Sequence, residues 1–214
     1  MFTGIIEEVG TIQQITSSGE AVVMTIRASK VLTDVQEGDS IAVNGVCLTV
    51  TSYTENSFEV DMMPETVRAT SLQNLSTNSK VNLERAMHAQ GRFGGHFVSG
   101  HVDGVGTISH KSQDHNAIYY TIEVASDLRR YMINKGSVAV DGTSLTIFGV
   151  SESSFTISII PHTVDHTIIG DKKVGDIVNI ECDLVGKYIE QFIQSPPKKE
   201  GITSEFLTKQ GYDT

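Results

Sequence analysis

Two histidines five residues apart, His96 and His101, stand in the glycine-rich run Gly94-Gly95-His96-Phe97-Val98-Ser99-Gly100-His101. Imidazoles titrate near about 6.5 when unperturbed, so either can give or take a proton at cellular pH. A hydrogen-bonded structural histidine is the competing reading for one of the two. Elsewhere the chain offers a thiol, Cys47, in Asn44-Gly45-Val46-Cys47-Leu48-Thr49, and a hydroxyl, Ser144, in Asp141-Gly142-Thr143-Ser144-Leu145-Thr146. A lone cysteine beside a strand is most often a small buried hydrophobe. In a polar turn it reads instead as a nucleophile, with Ser144 as its hydrogen-bonding substitute.

The amide of Asn44, the backbone donors beside Gly45, the Cys47 thiol and the Thr49 hydroxyl can converge on a flat heteroaromatic ligand, and Asp141, Ser144 and Thr146 offer the same in the second loop. Metal binding is the weaker reading. His96 and His101 have no third ligand at close spacing, and His88, His110 and His115 fall in linker or loop stretches. His162 and His166 are spaced as a helical pair, but their counterparts earlier in the chain are Glu65 and Ala69, so that helix reads as structural. Gly104-Val105-Gly106 is too short for a phosphate cradle and lacks the Lys-Ser/Thr that would follow.

These residues sit in a duplication. Val43-Asn44-Gly45-Val46-Cys47-Leu48-Thr49-Val50 returns 97 residues later as Val140 to Ile147, and Met63-Pro64-Glu65-Thr66-Val67 returns as Ile160-Pro161-His162-Thr163-Val164. Val81-Asn82-Leu83-Glu84 returns in the same register as Val178-Asn179-Ile180-Glu181, and Gly100 to Ile108 repeats Gly4 to Ile12. Two copies of one pocket imply two copies of one ligand, or two similar ligands.

Each copy alternates apolar and polar residues over short runs, as in Ala21 to Ile26 and Tyr119 to Val124, which predicts antiparallel strands. Asn44-Gly45 and Asp141-Gly142 are hairpin dipeptides. Short helices are expected around Lys30 to Val35 and Ser126 to Asn134, and again from Pro64 and Pro161. Closing each copy into a small barrel removes the edges that such short strands would expose. The boundary falls in His88 to Gly94, giving barrels over 1–93 and 94–186. A tail, 187–214, opens with an amphipathic helix carrying Tyr188, Ile189, Phe192 and Ile193, ended by Pro196-Pro197.

The 214 residues are 39% hydrophobic and 20% charged, a globular composition, and no apolar run reaches the roughly eighteen residues of a membrane helix. The N-terminus has early acids and no basic region, against a secretory signal. A formal charge of −10 disfavours a nucleic-acid partner. Two cysteines without a CxxC pair indicate neither a disulfide framework nor a cysteine zinc site. The expectation is a cytoplasmic protein acting on a small molecule.

Together, Met1-Phe2-Thr3-Gly4-Ile5, Asn44 to Thr49, Gly94-Gly95-His96 with Gly100-His101, and Asp141 to Thr146 resemble the riboflavin synthase family of the alpha-chain type, over the chain to about Asp183. The resemblance implies a mainly β fold, two tandem six-stranded Greek-key barrels plus a C-terminal α-helix. It also implies a homotrimer gathered by that helix, with each working site between barrels of neighbouring subunits. The implied reaction is the dismutation of two 6,7-dimethyl-8-ribityllumazine molecules, one donating a four-carbon unit to the other, without metal or cofactor, and lumazine synthase is an implied partner.

Family contacts carry over to Phe2, Gly4, Ile5 and Ile6, to Asn44, Cys47, Leu48 and Thr49, and to Asp61, Met62, Met63, Pro64, Glu65 and Thr66. They continue through Gly100, His101 and Val102 to Lys135, Ser144, Leu145 and Thr146, and to Ile160, Pro161, His162, Thr163, Val164 and Asp165. His96 and His101 are the implied proton carriers, and Cys47 and Ser144 the nucleophile or its positioners, supported by Thr146, Asp141 and Asp183. The tail departs from the family pattern at Lys198-Lys199-Glu200 and in a further helical segment with Phe206 and Leu207. The alternative is a non-catalytic lumazine- or flavin-binding antenna protein. Retention of Cys47, His96, His101, Ser144 and Thr146 favours the enzyme.

Overall fold

The computed structural model describes residues 1–18, 21–194 and 204–212. Twelve strands form two closed antiparallel barrels. The first comprises β1 (Glu8–Ser18), β2 (Ala21–Arg27), β3 (Ser40–Val43), β4 (Val46–Tyr53), β5 (Ser57–Met62) and β6 (Lys80–Arg85), in the order β1-β2-β5-β4-β3-β6. The second repeats that Greek-key order with β7 (Gly104–Asp114), β8 (Ala117–Val124), β9 (Ser137–Val140), β10 (Thr143–Val150), β11 (Ser154–Ile159) and β12 (Ile177–Cys182). The fold class expected from the repeats is therefore observed.

The period-2 pattern explains which side chains are free for chemistry. Along β4, Val46, Leu48 and Val50 point into the barrel while Cys47 and Thr49 point out. Along β10, Ile147 is buried, whereas Ser144, Thr146 and Phe148 lie on the outer face. Ile12, Ile26, Ile41, Phe58, Val60 and Leu83 fill the first barrel; Ile108, Tyr120, Ile122, Phe155 and Ile180 fill the second. Each such side chain contributes about 1.5–3 kcal/mol on burial. The Tyr120 hydroxyl, deep in the second core, donates to the Ile169 carbonyl at 2.9 Å.

The Asn-Gly and Asp-Gly dipeptides make the predicted tight hairpins β3–β4 and β9–β10, with φ of 48° and 81° at Asn44 and Gly45 and 44° and 79° at Asp141 and Gly142. The two tips pack on each other. A Cβ on either glycine would lie 2.7 Å from the other's backbone nitrogen, so both positions need glycine.

Helices are shorter than the pattern suggested. Only one 3₁₀ turn, Lys30–Leu32, occupies the first predicted helix. It is capped by the Glu8 carboxylate, which accepts from the N–H groups of Ser29, Lys30 and Val31, and Val31 and Val35 pin its two sides to the core. Its counterpart is α2 (Ser126–Arg129), and α1 (Pro64–Ala69) and α3 (Pro161–His166) each begin on the expected proline. Residues Met1–Leu184 form one compact unit containing both barrels.

The remainder, Val185–Thr214, is a second unit. It holds most of α4 (Leu184–Gln194), which starts ahead of the expected Lys187, and α5 (Ser204–Lys209), which contains Phe206 and Leu207 as expected. Pro196-Pro197 and Lys198-Lys199-Glu200 lie outside the described residues. On α4, Tyr188 and Ile189 are 58% and 53% exposed, and Phe192 and Ile193 are each 72% exposed. No described helix is long and apolar enough to cross a membrane.

Candidate active site

The segments preceding β1 and β7 act as two arms. Phe2 and Val98, repeat equivalents, exchange N–H···O bonds of 2.7 and 3.2 Å in an antiparallel bridge, and both are buried with Ala42 and Ala139. Beyond this bridge each arm reaches the other copy's barrel. The Gly4 carbonyl accepts the Ser144 N–H of the second barrel at 2.7 Å, and the Gly100 carbonyl accepts the Cys47 N–H of the first at 2.9 Å. Both glycines have positive φ, 76° and 81°. An added Cβ would lie 2.6 Å from the Ser144 Cβ and 2.5 Å from the Cys47 Cβ, so only glycine lets the arms come this close.

Crossing of the arms divides the two histidines. His96 goes with Ser144: its Nδ1 lies 2.7 Å from the Ser144 Oγ, and its backbone N–H donates to the Thr3 carbonyl at 3.1 Å. The ring is buried, and its Nε2 has no hydrogen-bond partner among the described residues. Burial depresses the His96 pKa below the ordinary histidine value, an effect opposed by the Asp183 carboxylate. The ring is therefore held neutral, ready to accept a proton. His101 follows Gly100 on the Cys47 side, exposed, with its N–H on the Ser99 Oγ at 3.2 Å.

On the first barrel, half-buried Cys47 and exposed Thr49 share the outer face of β4. Next to β4, β5 carries exposed Asp61 and inward Met62, followed by Met63 (68% exposed), Pro64, Glu65 and Thr66 at the start of α1. Val102 packs on the first barrel's core, which brings the second arm to this face. Leu48 is buried, so its side chain belongs to the core of the first barrel. On the second barrel Ser144 and Thr146 share the outer face of β10, and Leu145 packs inward. Ile160 (57% exposed), Pro161, His162, Thr163, Val164 and Asp165 form the equivalent turn into α3, while Ile5 and Ile6 continue the first arm. The His162 and His166 rings stack at 4.1 Å, and the His166 Nδ1 contacts the His162 carbonyl at 2.8 Å.

Predicted Asp141 and Asn44 turn into a seam between the barrels. Asp141 is fully buried: its Oδ1 accepts the Asn179 N–H at 2.8 Å, and its Oδ2 lies 3.2 Å from the Lys172 Nζ. Burial pushes its pKa up and Lys172 pulls it back. Asn44, 1% exposed, likewise turns inward, with its Oδ1 on the Asn82 N–H at 2.8 Å. Asn82 and Asn179 complete this seam by donating to the Asp141 and Asn44 carbonyls, each at 2.9 Å. Both side chains therefore lie in this seam, away from the outer faces that carry Cys47 and Ser144. At left-handed φ each side chain folds back onto the last strand of its own barrel.

Lys135, also at positive φ (66°), stands with its Nζ 4.2 Å over the Phe148 ring, which meets Tyr119 edge-on at 6.2 Å. The sequence reading missed this aromatic platform. Its signal was an aromatic at the third outward position of β10, where the first barrel has Thr51. Glu84 and Glu181 were missed as well, although both stood in the repeated Val-Asn-Leu/Ile-Glu motif. Each carboxylate accepts the hydroxyl and N–H of Thr3 or Ser99 and the N–H of Gly4 or Gly100.

A cavity of about 820 Å³ lies between the first arm, β3, β6 and the linker, lined by Ile5, Arg85, His88 and Arg92 among others. Of the predicted contact residues only Ile5 reaches it, and Arg85 is committed to Glu7 and Asp34 at 2.5 Å each. Neither Cys47 nor Ser144 lines this volume.

Comparison with known proteins agrees with the duplication. The lumazine binding domain family matches residues 3–86 and 99–183. The chain is 54% identical over 215 residues to a riboflavin synthase of Bacillus subtilis (strain 168), and 55% identical to one of Actinobacillus pleuropneumoniae, in each case covering 99% of this chain and 100% of the relative. A crystal structure of LumP complexed with riboflavin superposes with a TM-score of 0.79 at 24% identity, covering 85% of this chain and 99% of that one, which shows the shared fold. With a duplicated barrel, crossed glycine arms and full-length identity of this order, the chain belongs to the riboflavin synthase family of lumazine-binding proteins.

Proposed function

We propose that this chain dismutates two molecules of 6,7-dimethyl-8-ribityllumazine into riboflavin and 5-amino-6-ribitylaminouracil by transfer of a four-carbon unit. The observation that carries the reading is a pair of equivalent platforms with unequal chemistry: a thiol on one, and a hydroxyl paired with a buried neutral imidazole on the other. A dismutation needs one substrate to act as donor and an identical one as acceptor. Two sites with the same frame and different polar groups meet that need. The names of the full-length relatives support it.

In this reading His96 accepts the proton as the Ser144 hydroxyl, or a water beside it, adds to the lumazine that becomes the electrophile. His101 serves the C7-methyl proton of the other lumazine. Cys47 and Thr49 contact that second ring, Thr146 and Lys135 the first, and Asp183 orients His96 through its charge. Holding two flat rings face to face supplies part of the rate, up to roughly 7–11 kcal/mol in ideal cases.

The assembly is a homotrimer joined by the apolar stripe Tyr188, Ile189, Phe192 and Ile193, so that barrels of neighbouring subunits share a site. The exposure of that stripe supports this. The protein works in the cytoplasm, where Cys47 and Cys182 stay thiols, with lumazine synthase as its supplier and partner.

The test is incubation of the purified chain with 6,7-dimethyl-8-ribityllumazine in EDTA, without added cofactor. One riboflavin per two substrates consumed supports the proposal. Tight binding with a spectral shift and no turnover would leave the antenna reading in its place.

A further inference from the structure

We propose that Glu84 and Glu181 are crossed positioning residues: each carboxylate anchors the arm that enters its own barrel and thereby holds the ligand pocket of the other barrel in shape. The inference bears on the reaction proposed above, but its primary readouts do not depend on that reaction.

Glu84 on β6 is 4% exposed. Its Oε1 accepts the Thr3 N–H at 2.7 Å and the Thr3 hydroxyl at 2.8 Å, and its Oε2 accepts the Gly4 N–H at 3.0 Å. Glu181 on β12, 3% exposed, repeats the clamp: the Ser99 N–H at 2.6 Å, the Ser99 hydroxyl at 2.7 Å and the Gly100 N–H at 3.0 Å. The clamped glycine itself touches the opposite copy through its carbonyl. Gly4 receives the Ser144 amide, and Gly100 receives the Cys47 amide. The carboxylate of the first barrel therefore governs Ser144 in the second, and that of the second barrel governs Cys47 in the first.

The chemistry requires a carboxylate. Three donors converge on each group, and only an ionised carboxylate presents acceptors on both oxygens; a glutamine would turn an NH₂ toward one of the donors. Among the described residues neither glutamate has an ion-pair partner. Burying such a group is costly unless hydrogen bonds compensate it, and here every compensating donor belongs to an arm. The clamp's effect is to place the arm.

The experiment uses the full chain carrying Glu84→Gln or Glu181→Gln. Amide hydrogen exchange is read by NMR at Cys47 and Ser144, and iodoacetamide labelling is read by peptide mass at Cys47, with buried Cys182 as the control for general opening. Glu181→Gln is expected to speed exchange of the Cys47 amide at least about tenfold and to speed Cys47 alkylation, leaving the Ser144 amide and Cys182 within about twofold. Glu84→Gln is expected to speed exchange at Ser144 and to spare Cys47.

An effect confined to the variant's own barrel, equal effects on both amides, faster Cys182 labelling, or no change would each overturn the proposal. Should a glutamine variant fail to fold, Thr3→Val and Ser99→Ala remove only one hydroxyl donor each, and the same crossed pattern, about threefold, is expected. If the crossing appears while wild-type chain makes no riboflavin, the clamp stands and the reaction falls.

Discussion

The Nδ1 of His96 lies 2.7 Å from the Oγ of Ser144, beneath an arm that comes from the other barrel. Because the ring is kept neutral by burial, it can take the hydroxyl proton. His96→Gln and Ser144→Ala are each expected to lower kcat by about 10²–10⁴-fold with the fold intact. Steady-state riboflavin formation, with circular dichroism as the folding check, measures this. A loss below threefold in His96→Gln would remove the imidazole from the mechanism.

The same burial gives a signed pH dependence. In the folded chain His96 titrates below its unfolded value of about 6.5, so the unfolded state binds the proton first. The stability this contributes is present above about 6.5 and is lost as pH falls toward the folded value. Urea midpoints are expected to fall between pH 7.5 and 5.5 in the wild type and to fall less in His96→Gln.

The seam carries an exchange of partners between the copies. Asp141 faces Lys172, whereas the equivalent positions in the first copy are Asn44 and Leu75. Lys172→Leu alone strands a buried carboxylate and is expected to cost roughly 3–5 kcal/mol. Adding Asp141→Asn rebuilds the first copy's pair and is expected to recover most of that loss. A double-mutant cycle by denaturant unfolding tests it, and additive effects would argue against the pairing.

Gly4→Ala places a Cβ 2.6 Å from the Ser144 Cβ at a φ of 76°. The left-handed backbone costs on the order of 1–3 kcal/mol before any collision. A chain of this size loses about 2–4 °C in Tm per kcal/mol. Calorimetry should show at least that drop, with weakened ligand binding at the Ser144 platform.

On α4, where Phe192 is 72% exposed, Phe192→Asp is expected to shift the sedimentation coefficient from that of the proposed trimer to that of a monomer at micromolar concentration. An unchanged sedimentation coefficient would argue against the apolar stripe as the contact of the proposed trimer.

The sequence by itself determined the duplication, the hairpins and the barrels. These follow from local rules: a period of two along each strand, Asn-Gly and Asp-Gly at tight turns, and one register of repeated motifs. It also exposed the chemically able side chains, Cys47, Ser144, His96 and His101. Tertiary structure alone decided how they are grouped. His96 and His101 are five residues apart in the chain, yet they go to different platforms because the arm crosses between barrels at Val98. Asp141 and Asn44 looked available in polar turns, but backbone at positive φ turned them into the seam. The glutamates that hold the arms read as ordinary strand residues, since their donors lie some eighty positions away, and hydrogen bonds over that distance leave no periodic trace.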